Sequence, residues 1–292
     1  MVQISSKAER LMAKVLSAGI ATVDTIVLVD KYPHADERVV ALQSVRAVGG
    51  PATTAAVTMA RLGIDVALSC VIGDDDEGRF ILEALKREGV DTRNVFVNPS
   101  IHTAIGTIIV SKSEKTRAIV VQPHSKLPSK PANLNDYQWI HVDQFGMKAI
   151  KEWGVSRGGN SKLSIDIGYT TPGLNTADYD LYAPSANITT DVSTAIRDKN
   201  IVVISQGGDG SVYSDGVNFG EVPAIKTEIL STLGAGDVFH GALVATQVWE
   251  KPIEEAVAIA NIVAGLSCRG LDGQSGIPTK AELDAFLAGA RS

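Results

Sequence analysis

Only two cysteines occur in the 292 residues, Cys70 and Cys268. They are far apart in apolar surroundings, which excludes a disulfide-stapled secreted scaffold and offers no paired metal-ligand spacing. Both read as buried thiols of a reducing compartment, and the protein as cytoplasmic. The five histidines show no paired spacing either, so no metal site built from side chains is expected. Positive charge is in deficit: the net charge is -6 and the pI about 5.4. That balance leaves no electrostatic footprint for nucleic acid. Aromatic residues make up 5% of the chain, and before residue 130 only Tyr32, Phe80 and Phe96 occur, too few for an aromatic clamp over a planar base. No apolar run reaches the roughly 18–20 residues that a bilayer span requires, so no membrane partner is expected. Residues 1–14 carry Lys7, Arg10 and Lys14 but no apolar block, unlike a secretory signal. They read as an N-terminal extension to a domain covering 15–292. A Walker lysine pattern is missing, as is a Gly-x-Gly-x-x-Gly after the first strand.

What is present is an alternation of strands and helices. The apolar run Val15–Ala21 reads as a strand, Thr53–Leu62 as a helix stopped by Gly63, Asp65–Ile72 as a strand and Asp76–Glu88 as a helix closed by Gly89. From Val95 to Val121 the rhythm breaks. Ala104–Val110 and Arg117–Val121 are β-branched runs around the polar Ser111–Thr116, the mark of a hairpin that projects from the main sheet. Short strands at Trp139–Val142, Leu163–Ile167, Leu181–Tyr182 and Ile201–Ser205 then continue a parallel α/β pattern.

The stretch Ser231-Thr232-Leu233-Gly234-Ala235-Gly236-Asp237-Val238-Phe239-His240-Gly241-Ala242 carries the most chemistry. Val238, Ala242, Ala245 and Trp249 define one helical face, so the glycines stand at the helix start. There, free N–H groups and a partial positive charge meet an anion, and the lack of side chains lets it approach. Gly234, Ala235 and Gly236 are placed to hold a phosphate, and Asp237 to accept the proton of an attacking hydroxyl. A capped helix start would look the same in isolation, so a second site matters. Gly49 and Gly50 precede the helix that contains Thr54, and Asp24, just past the first strand, offers a carboxylate to two sugar hydroxyls; a turn residue or cap is the other reading of Asp24.

Taken in order, Gly19 to Asp24, Gly49 to Gly63, Ile72-Gly73-Asp74-Asp75 with Gly78, Gln206 to Gly210 and Gly234 to Ala242 resemble the ribokinase-like (PfkB) carbohydrate kinase family. Thr54, the run from Asp237 to Gly241 and Ser275-Gly276-Ile277-Pro278 look closest to its sulfofructose kinase members. The resemblance implies a central, mostly parallel sheet flanked by helices on both faces. A small β-strand lid would come from about 25–46 and 104–121, often pairing two subunits into a homodimer. It implies ATP and Mg²⁺, with Asp237 as catalytic base and the backbone of Gly234, Ala235 and Gly236 as the anion hole. Asp24, Gly49, Gly50 and Thr54 would face the sugar; Gln206, Gly208, Gly210 and Asn261 would face the nucleotide.

Three departures stand out. Thr54 replaces the usual Asn, which puts a pentose substrate in doubt. Ser231 replaces an Asp that helps hold a monovalent cation. The family's Asn-x-x-Glu element falls near Ala183-Pro184-Ser185-Ala186, where neither residue is present. The alternatives are therefore a kinase of a nucleoside or another small alcohol, and a catalytically silent sugar- or nucleotide-binding regulator. Lys31, Arg38, Arg46, His102 and His124 are candidate contacts for an anionic substrate. The helices around Trp153 and Trp249 read as core or interface.

Overall fold

The computed structural model describes residues 15–169 and 171–289; the proposed extension at 1–14 lies outside them. In chain order, β1 (Val15–Ala18) enters the core, followed by β2 (Thr22–Val29), β3 (Gln43–Gly49), α1 (Pro51–Arg61), β4 (Val66–Gly73), α2 (Asp76–Arg87) and β5 (Asp91–Asn98). The hairpin β6 (Ala104–Ser111) and β7 (Thr116–Gln122) comes next, then β8 (Trp139–Val142), α3 (Gln144–Trp153), β9 (Lys162–Ile167), β10 (Leu181–Pro184), α4 (Thr194–Asp198) and β11 (Ile201–Ser205). The chain closes with β12 (Ser211–Ser214), β13 (Phe219–Val222), α5 (Ala235–Val248), α6 (Ile253–Ser267) and α7 (Lys280–Gly289).

The main sheet has the order β13-β12-β11-β10-β9-β8-β1-β4-β5, parallel from β11 to β5 and antiparallel at β12 and β13. Its central strands are buried on both faces, so β4 reads Val-Ala-Leu-Ser-Cys-Val-Ile-Gly with no polar alternation. One face packs on α1, α2, α5 and α6 through Met59, Leu85, Val244 and Val257; the other packs on α3 and α4 through Met147, Ile150 and Ala195. Both cysteines are buried free thiols, as expected. Trp153 is buried in the core on the α3 face, and Trp249 packs against the core on the opposite face.

A second sheet, β3-β2-β6-β7, stands apart from the first. The hairpin expectation holds: β6 and β7 pair antiparallel. The run Val15–Ala21 is not one strand, however. It breaks after Ala18, and three residues later the chain is in the second sheet, so Asp24 lies inside β2 rather than in a turn. Asp143 pins this passage. Its carboxylate accepts from Ile20 N at 2.8 Å and caps α3 through Phe145 N and Gly146 N at 2.8 and 2.9 Å. A Cβ on Gly19 would lie 2.1 Å from Asp143 Oδ2, which explains the glycine. No helix among the described residues is long and apolar enough to cross a membrane.

Candidate active site

Strand order reverses at β1, since the chain moves to β4 and β5 on one side and to β8 through β11 on the other. Sheets of this kind bind ligands outside the carboxyl ends of their strands at that point. A cleft of about 1010 Å³ opens there. Its floor is supplied by the residues that follow those strand ends: Ile20 after β1, Gln144 and Phe145 after β8, Asp166 to Tyr169 at β9, Ser185 to Asn187 after β10, and Ser205 to Gly207 with Asp209 after β11. The second sheet covers it with Thr22, Asp24, Ile108, Arg117, Ile119 and Val121, and the N-terminus of α5 forms a wall.

The α5 terminus has the form the sequence suggests. Gly234 is the N-cap with φ +70°, a conformation costly for any residue with a Cβ, and no side chain caps the free N–H groups. A Cβ on Gly236 would meet nothing within 4 Å, so that backbone stands open to the cleft. Asp237 occupies the first turn and lines the same space. Unlike an amphipathic surface helix, α5 is buried all round from Val238 to Thr246, because α1 and α6 cover it.

Asp237 does not stand alone. Asp166 lies beside it, close enough to share a proton, and His240 Nε2 lies 3.4 Å from Asp166 Oδ1. Burial pushes both carboxyls above the usual carboxylate range; the Asp143 charge adds to the rise of Asp166, to about 7, which a hydrogen bond with Asp237 opposes, while the charge and hydrogen bond of Asp166 add to the rise of Asp237. Behind them the His141 and His240 ring centroids are 6.1 Å apart, and burial pushes both imidazoles down to about 3, so they are neutral. His141 Nδ1 contacts Ser164 Oγ at 2.9 Å. Arg117, on β7, donates to Thr232 Oγ1 at 3.0 Å near the N-terminus of α5, and is the one Lys or Arg among the described residues lining the cleft.

At the other end, Asp24 is held between glycines: a Cβ on Gly49 would lie 2.0 Å from its Oδ2, and one on Gly106 2.3 Å from its Oδ1. Burial raises its pKa, and a hydrogen bond with Thr22 opposes that shift. Gly50 lines the cleft, whereas Thr54 is buried in α1 and does not. Gln206 lines it together with Gly207 and Asp209; Gly208 and Gly210 belong to the same turn without doing so. Asn261, expected on the nucleotide side, does not line the cleft. Its side chain donates to Val222 O and Pro223 O at 3.0 and 3.4 Å and accepts from Ser211 Oγ at 2.8 Å, tying α6 to β12 and β13.

Lys31, Arg38, Arg46, His102 and His124 do not converge on the cleft. Arg46 pairs with Glu77 and lies over Phe80, and His124 Nε2 contacts Val71 O. Sequence reasoning missed Asp166, Arg117, Asn187, Phe145 and Tyr169. His240 had a visible signal, since it lies one helical turn after Asp237. The other five had none, because only the strand order brings them to one cleft.

A family model described as pfkB family carbohydrate kinase matches residues 12–155 and 180–280. Ribokinase from Bacillus subtilis (strain 168) is 30% identical over 300 residues, covering 95% of this chain and all of its own length. Among solved structures, ribokinase from Thermotoga maritima superposes with a TM-score of 0.79 at 20% identity, covering 94% of this chain and 99% of that one. The nucleoside kinase of Methanocaldococcus jannaschii gives 0.79 at 18% identity, covering 95% and 99%; at these identities the likeness speaks for the fold.

Proposed function

The chain belongs to the pfkB family of carbohydrate kinases, and on that premise we propose that it transfers the γ-phosphate of ATP to a hydroxyl of an uncharged sugar, with Asp237 as the base. The observation that carries this reading is the shared cleft: an open, uncapped helix N-terminus with Asp237 in its first turn faces a lid strand that carries Asp24. Asp24 would hold two sugar hydroxyls, with Gly50 beside it, while Ile108, Ile119 and Val121 exclude water. The backbone N–H groups at Gly234, Ala235 and Gly236 would receive the transferred phosphoryl group, and Arg117 would neutralise part of its charge. Gln206, Gly207 and Asp209 would line the nucleotide end. As the hydroxyl oxygen bonds to phosphorus and the bond to ADP breaks, the hydroxyl proton passes to Asp237.

Magnesium fits this cleft only as an ion that keeps its waters. No group of three His, Cys, Asp or Glu side chains converges among the described residues, and Mg²⁺ bound to nucleotide phosphates needs few protein ligands. Ser185 and Asn187, on the wall beside the nucleotide end, would hold those waters, and the bound ion would neutralise phosphate charge. Arg117 would be engaged at the phosphoryl end, so among the described residues the sugar end has no cation for a phosphorylated or sulfonated substrate. Phe145 and Tyr169, which line the cleft, favour a nucleoside as the second reading.

ADP release from MgATP, measured across free, phosphorylated and sulfonated sugars and nucleosides, tests the proposal. Turnover on a neutral sugar that is lost in Asp237→Asn supports it. Selective turnover on an anionic sugar or a nucleoside would replace the substrate class, and nucleotide binding without turnover would point to a silent binding protein. The second sheet, with Val120 on β7 at 70% exposure and Val40 in the β2–β3 loop at 85%, fits a second copy of the chain, so the working unit is proposed to be a homodimer.

A further inference from the structure

Among the described residues, four carboxylates line the cleft, those of Asp24, Asp166, Asp209 and Asp237, against one Lys or Arg, Arg117. A nucleotide triphosphate therefore enters a site whose own charge opposes it, and the place of the single guanidinium decides which phosphate is compensated. Arg117 is exposed on β7, the outer strand of the second sheet, and belongs to no salt bridge among the described residues. Its side chain has one hydrogen bond there, from Nη1 to Thr232 Oγ1 at 3.0 Å, across 115 residues of chain.

The loop that carries Thr232 is fixed. Leu230 N and Ser231 N donate to Cys268 O at 2.9 and 3.2 Å, and Leu233 N donates to Ser231 Oγ at 3.1 Å, so the threonine is held two residues before the Gly234 cap of α5. The second sheet is seated on the same loop, because Ile26, Leu28, Ile108 and Val110 pack with Leu233 and Leu271 in one small apolar cluster. Stability does not account for a guanidinium in this place. A cation is disfavoured near the positive end of a helix, and holding an arginine still costs up to about 2 kcal/mol of rotamer freedom. One hydrogen bond to a neutral hydroxyl at an exposed site offsets little of that. The guanidinium fork carries five N–H donors and Thr232 takes one, which leaves the others for a tetrahedral anion between β7 and α5.

We propose that Arg117 contacts the phosphoryl group in transfer and that Thr232 is the positioning residue that aims it, so that seating a γ-phosphate and closing the second sheet over the acceptor are one event. This rests on the reading of the α5 terminus as the phosphate site. The guanidinium keeps its bond to Thr232 and turns its remaining donors to the phosphoryl oxygens. As the bond from phosphorus to the ADP oxygen breaks and that to the acceptor oxygen forms, with the acceptor proton passing to Asp237, Arg117 stays with the transferred group. ADP alone does not reach it. Asp24 belongs to the same sheet, so a triphosphate also seats the carboxylate that would hold the acceptor.

The test needs no acceptor. Calorimetry compares MgADP with the magnesium complex of β,γ-imido-ATP in wild type, Arg117→Gln, Thr232→Val, Thr232→Ser and the Arg117→Gln/Thr232→Val double variant, with ADP affinity as the folding control. Arg117→Gln should weaken the imido analogue at least about tenfold, the size of a lost charge-assisted hydrogen bond, while ADP changes by less than about twofold. Thr232→Val should weaken the analogue about threefold, Thr232→Ser should restore it, and the double variant should be no worse than Arg117→Gln, since the hydroxyl acts through the guanidinium. Hydrogen exchange gives a second readout: the imido analogue should slow the β7 amides beyond the protection ADP gives, and Arg117→Gln should erase the difference. Equal protection by the two nucleotides in wild type overturns the proposal. So does an unchanged analogue affinity in Arg117→Gln, an equal loss for ADP, or an additive double variant. If Arg117 serves an anionic acceptor instead, acceptor KM moves and analogue affinity does not, which also overturns it. The assignment of the base fails separately, by turnover that survives in Asp237→Asn, and the nucleotide comparison stands apart from that result.

Discussion

The Asp24 carboxylate occupies space that a single methyl group would take. Gly106→Ala would place a Cβ 2.3 Å from Asp24 Oδ1, and the flexible carboxylate would move before the strand did. The variant is therefore expected to melt within a few degrees of wild type while KM for the sugar rises at least tenfold and nucleotide affinity is unchanged; steady-state kinetics and calorimetry check this. Removing the base should be harsher: Asp237→Asn is expected to lower kcat by about 10²–10⁴-fold. The Asp166 carboxyl also makes stability depend on pH. Its folded value, about 7, lies above the ordinary 3.8, so its favourable contribution is complete below about pH 4 and is lost as pH rises toward 7. His141 and His240, held near 3, act in the opposite sense, and their contribution is lost as pH falls below 6.5. Asp166→Asn should consequently raise the melting temperature more at pH 8 than at pH 5, by scanning calorimetry. Asp237 and its glycines were legible because they are contiguous, and local spacing is enough to place them on a helix start. Asp166 was not, since its significance depends on β9 lying near α5, which no local pattern encodes.

At the scale of elements, the first turn of α5 separates folding from chemistry within three residues. Gly234→Ala would force a Cβ onto a residue at φ +70° and bring it 2.8 Å from Gly273 Cα, so a loss of about 1–3 kcal/mol in denaturant unfolding is expected. Gly236→Ala would meet no protein atom and should leave stability intact or slightly improved. Its methyl group would stand where the phosphate approaches, so kcat should fall at least tenfold. Equal effects of the two substitutions on stability would contradict this division. The hairpin β6–β7 was readable from its β-branched runs and polar turn. The split between β1 and β2 was not, because Val15–Ala21 is continuously apolar and the two strands differ only in the sheet they join. Asn261 shows the converse limit: its position along the chain was identified, but its amide is spent on Val222, Pro223 and Ser211, a tertiary arrangement invisible to spacing.

At the scale of the whole molecule, the second sheet pairs with nothing beyond β7 among the described residues. β7 is exposed throughout, with Arg117, Ile119 and Val121 turned to the cleft and Val120 on the opposite face. If that face meets a second copy, burying on the order of 800 Å² per partner, sedimentation equilibrium should report a dimer, and Val120→Glu should shift it to monomer. A wild-type monomer at micromolar concentration would remove the lid from the interface. The alternating strand and helix rhythm made the core layers legible, whereas how copies meet depends on a surface that composition does not describe. The second sheet also divides labour along the chain. Residues that would choose the acceptor, Asp24, Ile108 and Val121, belong to the second sheet, while Asp166 belongs to the first and Asp237, with the glycines that would receive the phosphate, to the start of α5 packed on it. Mutations that reshape one sheet leave the other's hydrogen bonding largely intact, so a lineage built on this scaffold can exchange its diet of substrates while inheriting its phosphate chemistry unaltered.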